Sequence, residues 1–299
     1  MTVTHFSVMY GHLEGTDVKF ARDPSGYLSI ETGIYQKHGL EISWNHVQGT
    51  EERYRRLENG EAQISFVVGR ASLQHFLDTK TTCVLGCAMN SCPYYLIVDG
   101  AIRELKDLKG KVVACREGPA RGVPFAQVFE DRAGLKLGSE VTLQLLSSDL
   151  EALNRLLGGQ AHAALLPRPY GFMAEERGFE RINQWPAVVD DPLPITLETT
   201  QALAKGKRRE FAAFLAAHRE GIRYMKANRN EAMRVLSARF GLPPGLVRKT
   251  CEDYLVCMDE SLAVDFKQFE RLLSQVAPEK TTDARKIAEE WISPGALRG

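Results

Sequence analysis

The sequence predicts an α/β protein of two related lobes with a helical C-terminal region. Strand-sized apolar runs alternate with helix-like segments through roughly the first 190 residues, the pattern of parallel sheets flanked by helices. A helix, a Gly stop and a strand recur about a hundred residues apart. From Gly206 onward the pattern takes the 3.6-residue period of amphipathic helices.

In chain order, His5–Tyr10 reads as a strand, Gly26–His38 as a helix stopped by Gly39, and Leu40–His46 as a second strand. A helix from Thr50 to Asn59 and a third strand, Ala62–Val68, follow. The segment Leu57–Val67 is echoed by Leu156–Leu166, with Gly60 matching Gly159, and His38–Ile42 is echoed by Ala133–Leu137. Such joints recur in any α/β protein, so the echo alone leaves one lobe or two open. Strands are also expected at Tyr94–Val98, Val112–Cys115 and Ala161–Leu166, and a helix through Phe125–Arg132. In the last third, Phe211, Phe214, Leu215, Ile222 and Met225 share one helical face. Asn230 is placed to cap a helix over Glu231–Phe240, Gly241 to end it, and Pro243-Pro244 to open the next segment.

Composition narrows the function. Lys plus Arg and Asp plus Glu each number 38, so the net charge is zero, and the two signs are interleaved along the chain. Polyanion binding by charge is excluded, because a nucleic-acid binder shows a basic field or stripe. No apolar run approaches a membrane span, and no basic-then-apolar N-terminal segment marks a secretory signal. The expectation is therefore a cytoplasmic protein as the chain is written, or an extracytoplasmic one if a signal was removed. The six cysteines fit reduced, buried thiols rather than a disulfide scaffold.

Several stretches resemble one family. Gly33–Ser43 (GIYQKHGLEIS) and Asn59–Ile64 (NGEAQI) are similar to the first two helix-to-strand joints of the nitrate/sulfonate/taurine-type solute-binding proteins, a family shared with the thiamine-pyrimidine synthase-like proteins. Leu105–Ala114 resembles the entry into their second lobe, Gly159–Tyr170 with Glu176–Phe179 its last strand and helix, and Phe211–Ile222 with Asn228–Ala232 the C-terminal helix pair. The resemblance implies a type II periplasmic-binding-protein fold: two doubly wound sheets joined by two crossover strands, near Tyr94–Asp99 and Val188–Ile195. Lobe I would comprise residues 1–93 and 190–299, and lobe II residues 94–189.

Ligands of open parallel sheets bind beyond the carboxyl ends of the strands. The residues expected there are Tyr10 and His12 in lobe I, then Thr50, Gly69 and Arg70, and in lobe II Arg116, Gly118, Arg121, Arg168 and Tyr170. Asn90 completes the candidate ligand-binding set. Four arginines in these loops, Arg70, Arg116, Arg121 and Arg168, point to a small anion, since a guanidinium fork matches a carboxylate or sulfonate. The loop Gly118–Gly122 also leads into a helix whose N-terminus favours negative charge. The alternative is that these arginines pair with Glu117, Glu175 or Glu176 as surface ions. Against the resembling family, where a small residue usually follows Gly69, Arg70 is a departure.

Tyr10, Tyr94, Tyr95 and Tyr170 either stack on a flat ligand or cover the lobe edges as amphipathic core residues. Cys83, Cys87 and Cys92 lack zinc-ligand spacing and read as small buried hydrophobes. The chain also lacks the contiguous cysteines of the pyrimidine-synthase relatives. His12 is placed to orient a ligand or act as a base, whereas His38, His75, His162 and His218 read as neighbours of helices and strands without a role. No metal and no cofactor is expected, nor a catalytic set.

Two readings remain. The first is a non-catalytic binder that captures a small anion, aromatic ones included, and delivers it to an ABC-type permease. The second is a cytoplasmic enzyme on the same fold, a decarboxylase, desulfinase or pyrimidine-precursor synthase, with Arg70 or Arg116 holding the anion and His12 or a cleft cysteine moving a proton. The binder ranks first because no catalytic constellation is assembled in the sequence.

Overall fold

A computed structural model of the protein describes residues 3–10, 23–47, 49–89, 94–116, 123–182 and 192–298, with the backbone alone for 123–127. Two five-stranded mixed sheets organise it. In the first sheet, β1 (Thr4–Tyr10), β2 (Leu40–His46), β3 (Ile64–Val67) and β4 (Thr82–Met89) run in one direction, and β10 (Ile195–Thr200) runs against β3 and β4, giving the order β2-β1-β3-β10-β4. In the second, β5 (Tyr94–Val98) runs against β8 (Ala163–Pro167) and β9 (Glu180–Arg181), while β6 (Val112–Arg116), β7 (Thr142–Leu146) and β8 are parallel, in the order β7-β6-β8-β5-β9. No described helix is long and apolar enough to cross a membrane.

The connecting helices are α1 (Pro24–Glu31), α2 (Ile34–Lys37), α3 (Thr50–Glu58) and α4 (Gly69–Thr79) before the first crossing, then α5 (Val123–Ala133), α6 (Asp149–Leu157) and α7 (Tyr170–Glu175). The last third holds α8 (Gln201–Gly206), α9 (Arg208–Ala227), α10 (Arg229–Phe240), α11 (Pro244–Cys257), α12 (Phe266–Val276) and α13 (Ala284–Trp291). One face of the first sheet packs Phe6, Val8 and Leu197 against Phe211, Phe214 and Ile222 of α9, with Val247 and Cys251 of α11 in the same core. Its other face meets α4, α12 and α13 through Leu73, Phe269 and Trp291. The second sheet alternates in the same way: Leu96 and Val98 face one core, and Tyr95 and Ile97 face another with α6 and α7.

Three sequence expectations shift. The helix expected over Gly26–His38 breaks into α1 and α2, because Gly33 takes φ +70°, a left-handed conformation that ends one helix and starts the next. The strand expected in the second echo, at Leu135–Leu137, begins only at Thr142. The cap of α10 falls at Asn228 rather than Asn230, and its side chain makes no capping bond. The other echo is structural: Gly60 and Gly159, at φ +73° and +68°, each join a helix to a parallel strand.

Both crossings between the sheets lie at the carboxyl ends of the parallel strands. β4 leaves at Met89 and β5 enters at Tyr94, beside Pro167 at the end of β8. On the return, Ile195 of β10 pairs with Met89, and Thr196 pairs with Val67 at the end of β3. The carboxyl edges of both sheets therefore flank the same gap, the place where open α/β sheets bind ligands.

Candidate functional site

On the first sheet, Tyr10 ends β1, half-buried, and its hydroxyl accepts from Tyr27 at 2.5 Å. Thr50 opens α3 after β2, and Arg53 one turn later fixes this start. Its guanidinium donates to Phe66 O at 3.0 Å, and to Gly49 O and Thr50 Oγ1 at 3.3 Å each. Gly69 starts α4 and donates its N–H to Leu193 O at 3.0 Å. A Cβ here would stand 2.4 Å from that oxygen, so the close approach of the returning chain requires glycine. Arg70 turns away from the gap to α12, donating to Gln275 Oε1 at 2.6 Å and Gln275 O at 3.3 Å.

On the second sheet, Arg116 ends β6 with its side chain 16% exposed, and its Nε lies 3.3 Å from Asp149 Oδ2. Ser148, the N-cap, places Asp149 in the first turn of α6, where the helix dipole favours a carboxylate. Burial works against the charge of Arg116, but the Tyr94 hydroxyl and Asp149 beside it more than offset this and hold its pKa up. Asp149 and Arg116 also lie within electrostatic reach of Tyr170, whose fully buried hydroxyl has no hydrogen-bond partner among the described residues. Burial, the larger cause, together with Asp149 pushes that phenol up.

Arg168 is committed inside the protein. It is 3% exposed, ion-paired with Asp253 of α11, and lies over the Tyr254 ring at 4.0 Å. The acids that the sequence offered to these arginines pair elsewhere, Glu175 with Arg181 and Glu176 with Lys249. Tyr94, Tyr95 and Tyr170 are buried in the second lobe's cores, which is the covering role of the two considered for them. Arg116 thus stands at the carboxyl end of β6, Tyr10 at that of β1 and Thr50 just after β2, whereas the Tyr170 side chain is buried, Gly69 is covered by Leu193, and Arg70 and Arg168 are tied into the scaffold. His12, Asn90, Gly118, Arg121 and Cys92 lie outside the described residues.

The described cysteines are buried, and Cys83, Cys115, Cys251 and Cys257 are free thiols. Burial pushes the thiols up, to about 11 for Cys83 and about 12 for Cys115 and Cys251, so none of these three is a thiolate nucleophile near neutral pH. No described group of three or more His, Cys, Asp and Glu is arranged to hold a metal ion. His38 and His75 meet Glu220 and Glu58 at 2.8 and 3.3 Å.

Sequence reasoning missed two buried polar centres. His218, set aside as a packing neighbour, joins the Tyr35 hydroxyl at 2.9 Å to Asp23 at 2.8 Å, locking α1 and α2 onto α9. For Asp23, burial raises the pKa, but His218 and the bonds from Ser25 and Gly26 outweigh it and hold the carboxyl below its ordinary value. The second centre is Glu198, the one acid in the strand Ile195–Thr200; an acid in an apolar strand is itself a signal. Its carboxyl oxygens lack hydrogen-bond partners among the described residues, although Thr82, Ser72, Tyr54 and Arg53 face them.

Burial raises the Glu198 pKa from 4.5 to about 7, against the pull of those hydroxyls and Arg53. The folded state therefore holds this proton more tightly than the unfolded chain. The resulting stability is complete below pH 4.5 and is lost as pH rises through about 7. Glu198→Gln, which cannot ionise, should flatten that fall and leave the variant more stable than the parent at pH 8 by on the order of 3 kcal/mol. Urea unfolding of both proteins at pH 5 and pH 8 checks this, and parallel pH profiles would refute it.

Two five-stranded mixed sheets, with the chain passing from the first to the second and back, define the two-lobed periplasmic-binding-protein class of fold. The chain belongs to the NMT1/THI5-like family, whose model matches residues 25–232. Among solved structures, the alkanesulfonate-binding protein SsuA of Xanthomonas axonopodis pv. citri, bound to MOPS, is similar at 14% identity and TM-score 0.69, with 98% of each chain covered. The periplasmic nitrate-binding protein NrtA of Synechocystis PCC 6803 matches at 12% identity and TM-score 0.72, covering 97% of this chain and 86% of its own. The Candida albicans CA3427 gene product, described as having the generic periplasmic binding protein fold, matches at 14% identity and TM-score 0.67, with 99% of this chain and 98% of its own covered. Among curated proteins none is similar enough in sequence to count as a relative.

Proposed function

We propose that the protein is a solute-binding protein that closes two lobes, residues 1–93 with 190–299 and residues 94–189, on a small organic anion, a carboxylate or sulfonate, for an ABC-type importer. Arg116 is the observation that carries this reading. It is a cation at the carboxyl end of β6, near Tyr94 where the chain enters the second sheet, and its side chain keeps some exposure to solvent. Asp149 neutralises one charge there, so binding an anion calls for a second cation; the sequence offers Arg121 for it, outside the described residues. Tyr10 and Thr50 meet the ligand from the opposite edge, so the full set of hydrogen bonds forms only on closure. Likeness to sulfonate- and nitrate-binding proteins supports the anion class, and their periplasmic setting supports work outside the cytoplasm.

Native purification followed by mass spectrometry of the released small molecules tests the reading. The expected result is a small organic anion in about equal amount to the protein, recovered unchanged after incubation with it. Recovery of a cation or of a neutral molecule overturns the anion class. Conversion of the molecule by the protein alone overturns the binder in favour of an enzyme.

A further inference from the structure

One run of the chain departs from its interleaved charges. Lys205, Lys207, Arg208 and Arg209 place four cations within five residues, across the joint between α8 and α9. None of the four forms an ion pair among the described residues. The joint lies at the far end of the first sheet from the gap, because α8 begins directly after Thr200, which pairs with Thr82 at the start of β4.

Beneath this joint is a cavity of about 470 Å³, bounded by α8, α9, the start of β4 and the end of α13. Its inner wall is apolar: Cys83, Leu85, Phe211, Leu215 and Ile292 line it, with Ala212 also on its wall and exposed. Cys83, Leu85, Phe211 and Ile292 are buried, so the floor reaches the core of the sheet. The C-terminal segment forms one wall, held where Ser293 N donates to Val84 O at 2.8 Å. Gln201 fixes the lip by donating to Glu290 O at 2.9 Å.

Four charged residues stand on the wall. Glu289 is already paired with Arg285 at 2.9 Å and Glu290 with Lys80 at 3.2 Å, whereas Lys205 and Arg208 have no such partner among the described residues. An apolar hollow in the size range of small-molecule sites, with two uncommitted cations on its wall, matches a molecule with an apolar body and an anionic head. We infer that this cavity is a second binding site, separate from the gap between the lobes, for a single-chain anionic amphiphile: the chain lies on Leu85, Phe211 and Leu215, and the head meets Lys205 and Arg208.

Calorimetric titration of the full chain with decanoate, below its micelle concentration, tests the site, with decyltrimethylammonium as the comparator. Decanoate is expected to bind at one site, and the cationic amphiphile about tenfold more weakly or not at all. Reversing both charges, Lys205→Glu with Arg208→Glu, should weaken decanoate about tenfold or more. Ala212→Trp, which plugs the hollow from an exposed position, should abolish binding. Decanoate binding that survives Ala212→Trp would place the amphiphile elsewhere and overturn the inference, as would equal affinity for the two amphiphiles. Binding to anionic vesicles that Ala212→Trp leaves unchanged would assign the basic run to membrane surfaces instead and overturn it equally.

Discussion

Arg116→Ala is expected to raise the dissociation constant for the bound anion by a factor of about thirty to several thousand, the range for removing one member of a buried, hydrogen-bonded charge pair. Two effects add. The guanidinium no longer meets the anion, and Asp149, whose side chain is fully buried, is left facing the ligand without the cation 3.3 Å away. Arg116→Lys keeps the charge but loses the two-pronged fork, so its affinity should fall between the parent and the alanine variant. Calorimetry with the anion recovered from native purification gives the comparison, and circular dichroism shows whether each variant is folded. Affinity unchanged in a folded Arg116→Ala protein would remove the anion from this edge of the gap.

The fold was legible because its signals are local. The alternating apolar runs, the left-handed stops at Gly60 and Gly159, and the helical period after Gly206 each depend on a few neighbouring residues, and each corresponds to an element of the structure. The candidate site was less legible because the destination of a long side chain is set by elements remote in sequence. Arg70 and Arg168 stand after strands, as expected, yet their partners are Gln275 and Asp253, 205 and 85 residues further along. No spacing rule links such positions. Asp149 carried a nearer signal, the Ser148-Asp149 start of a helix directly after a strand. Asp253 had none, since it stands beside Glu252 on a helix and reads as an ordinary solvated acid.

Asp253→Ala should cost about 3 to 5 kcal/mol of unfolding free energy, the penalty for removing one partner of a buried ion pair. The pair lies where α11 bridges the cores of the two sheets. Its residues Val247, Cys251, Tyr254 and Cys257 belong to the core of the first sheet, whereas Leu246 belongs to a core of the second. Asp253 fastens the second contact by accepting hydrogen bonds from Tyr95 of β5 and Arg168 after β8. Arg168 is 3% exposed, so without that carboxylate its charge stays in a site that water does not reach. Three companion variants separate the causes. Tyr95→Phe removes one hydrogen bond and should cost only about 1 kcal/mol. Asp253→Asn keeps an acceptor but not the charge, and should fall between Tyr95→Phe and the alanine variant. Arg168→Met with Asp253→Leu removes both charges and keeps the bulk, so most of the stability should return, because the loss comes from burying an uncompensated charge and not from losing the seat of α11. Urea unfolding measures all four, and a loss below about 1 kcal/mol in Asp253→Ala would show that the pair carries no such burden.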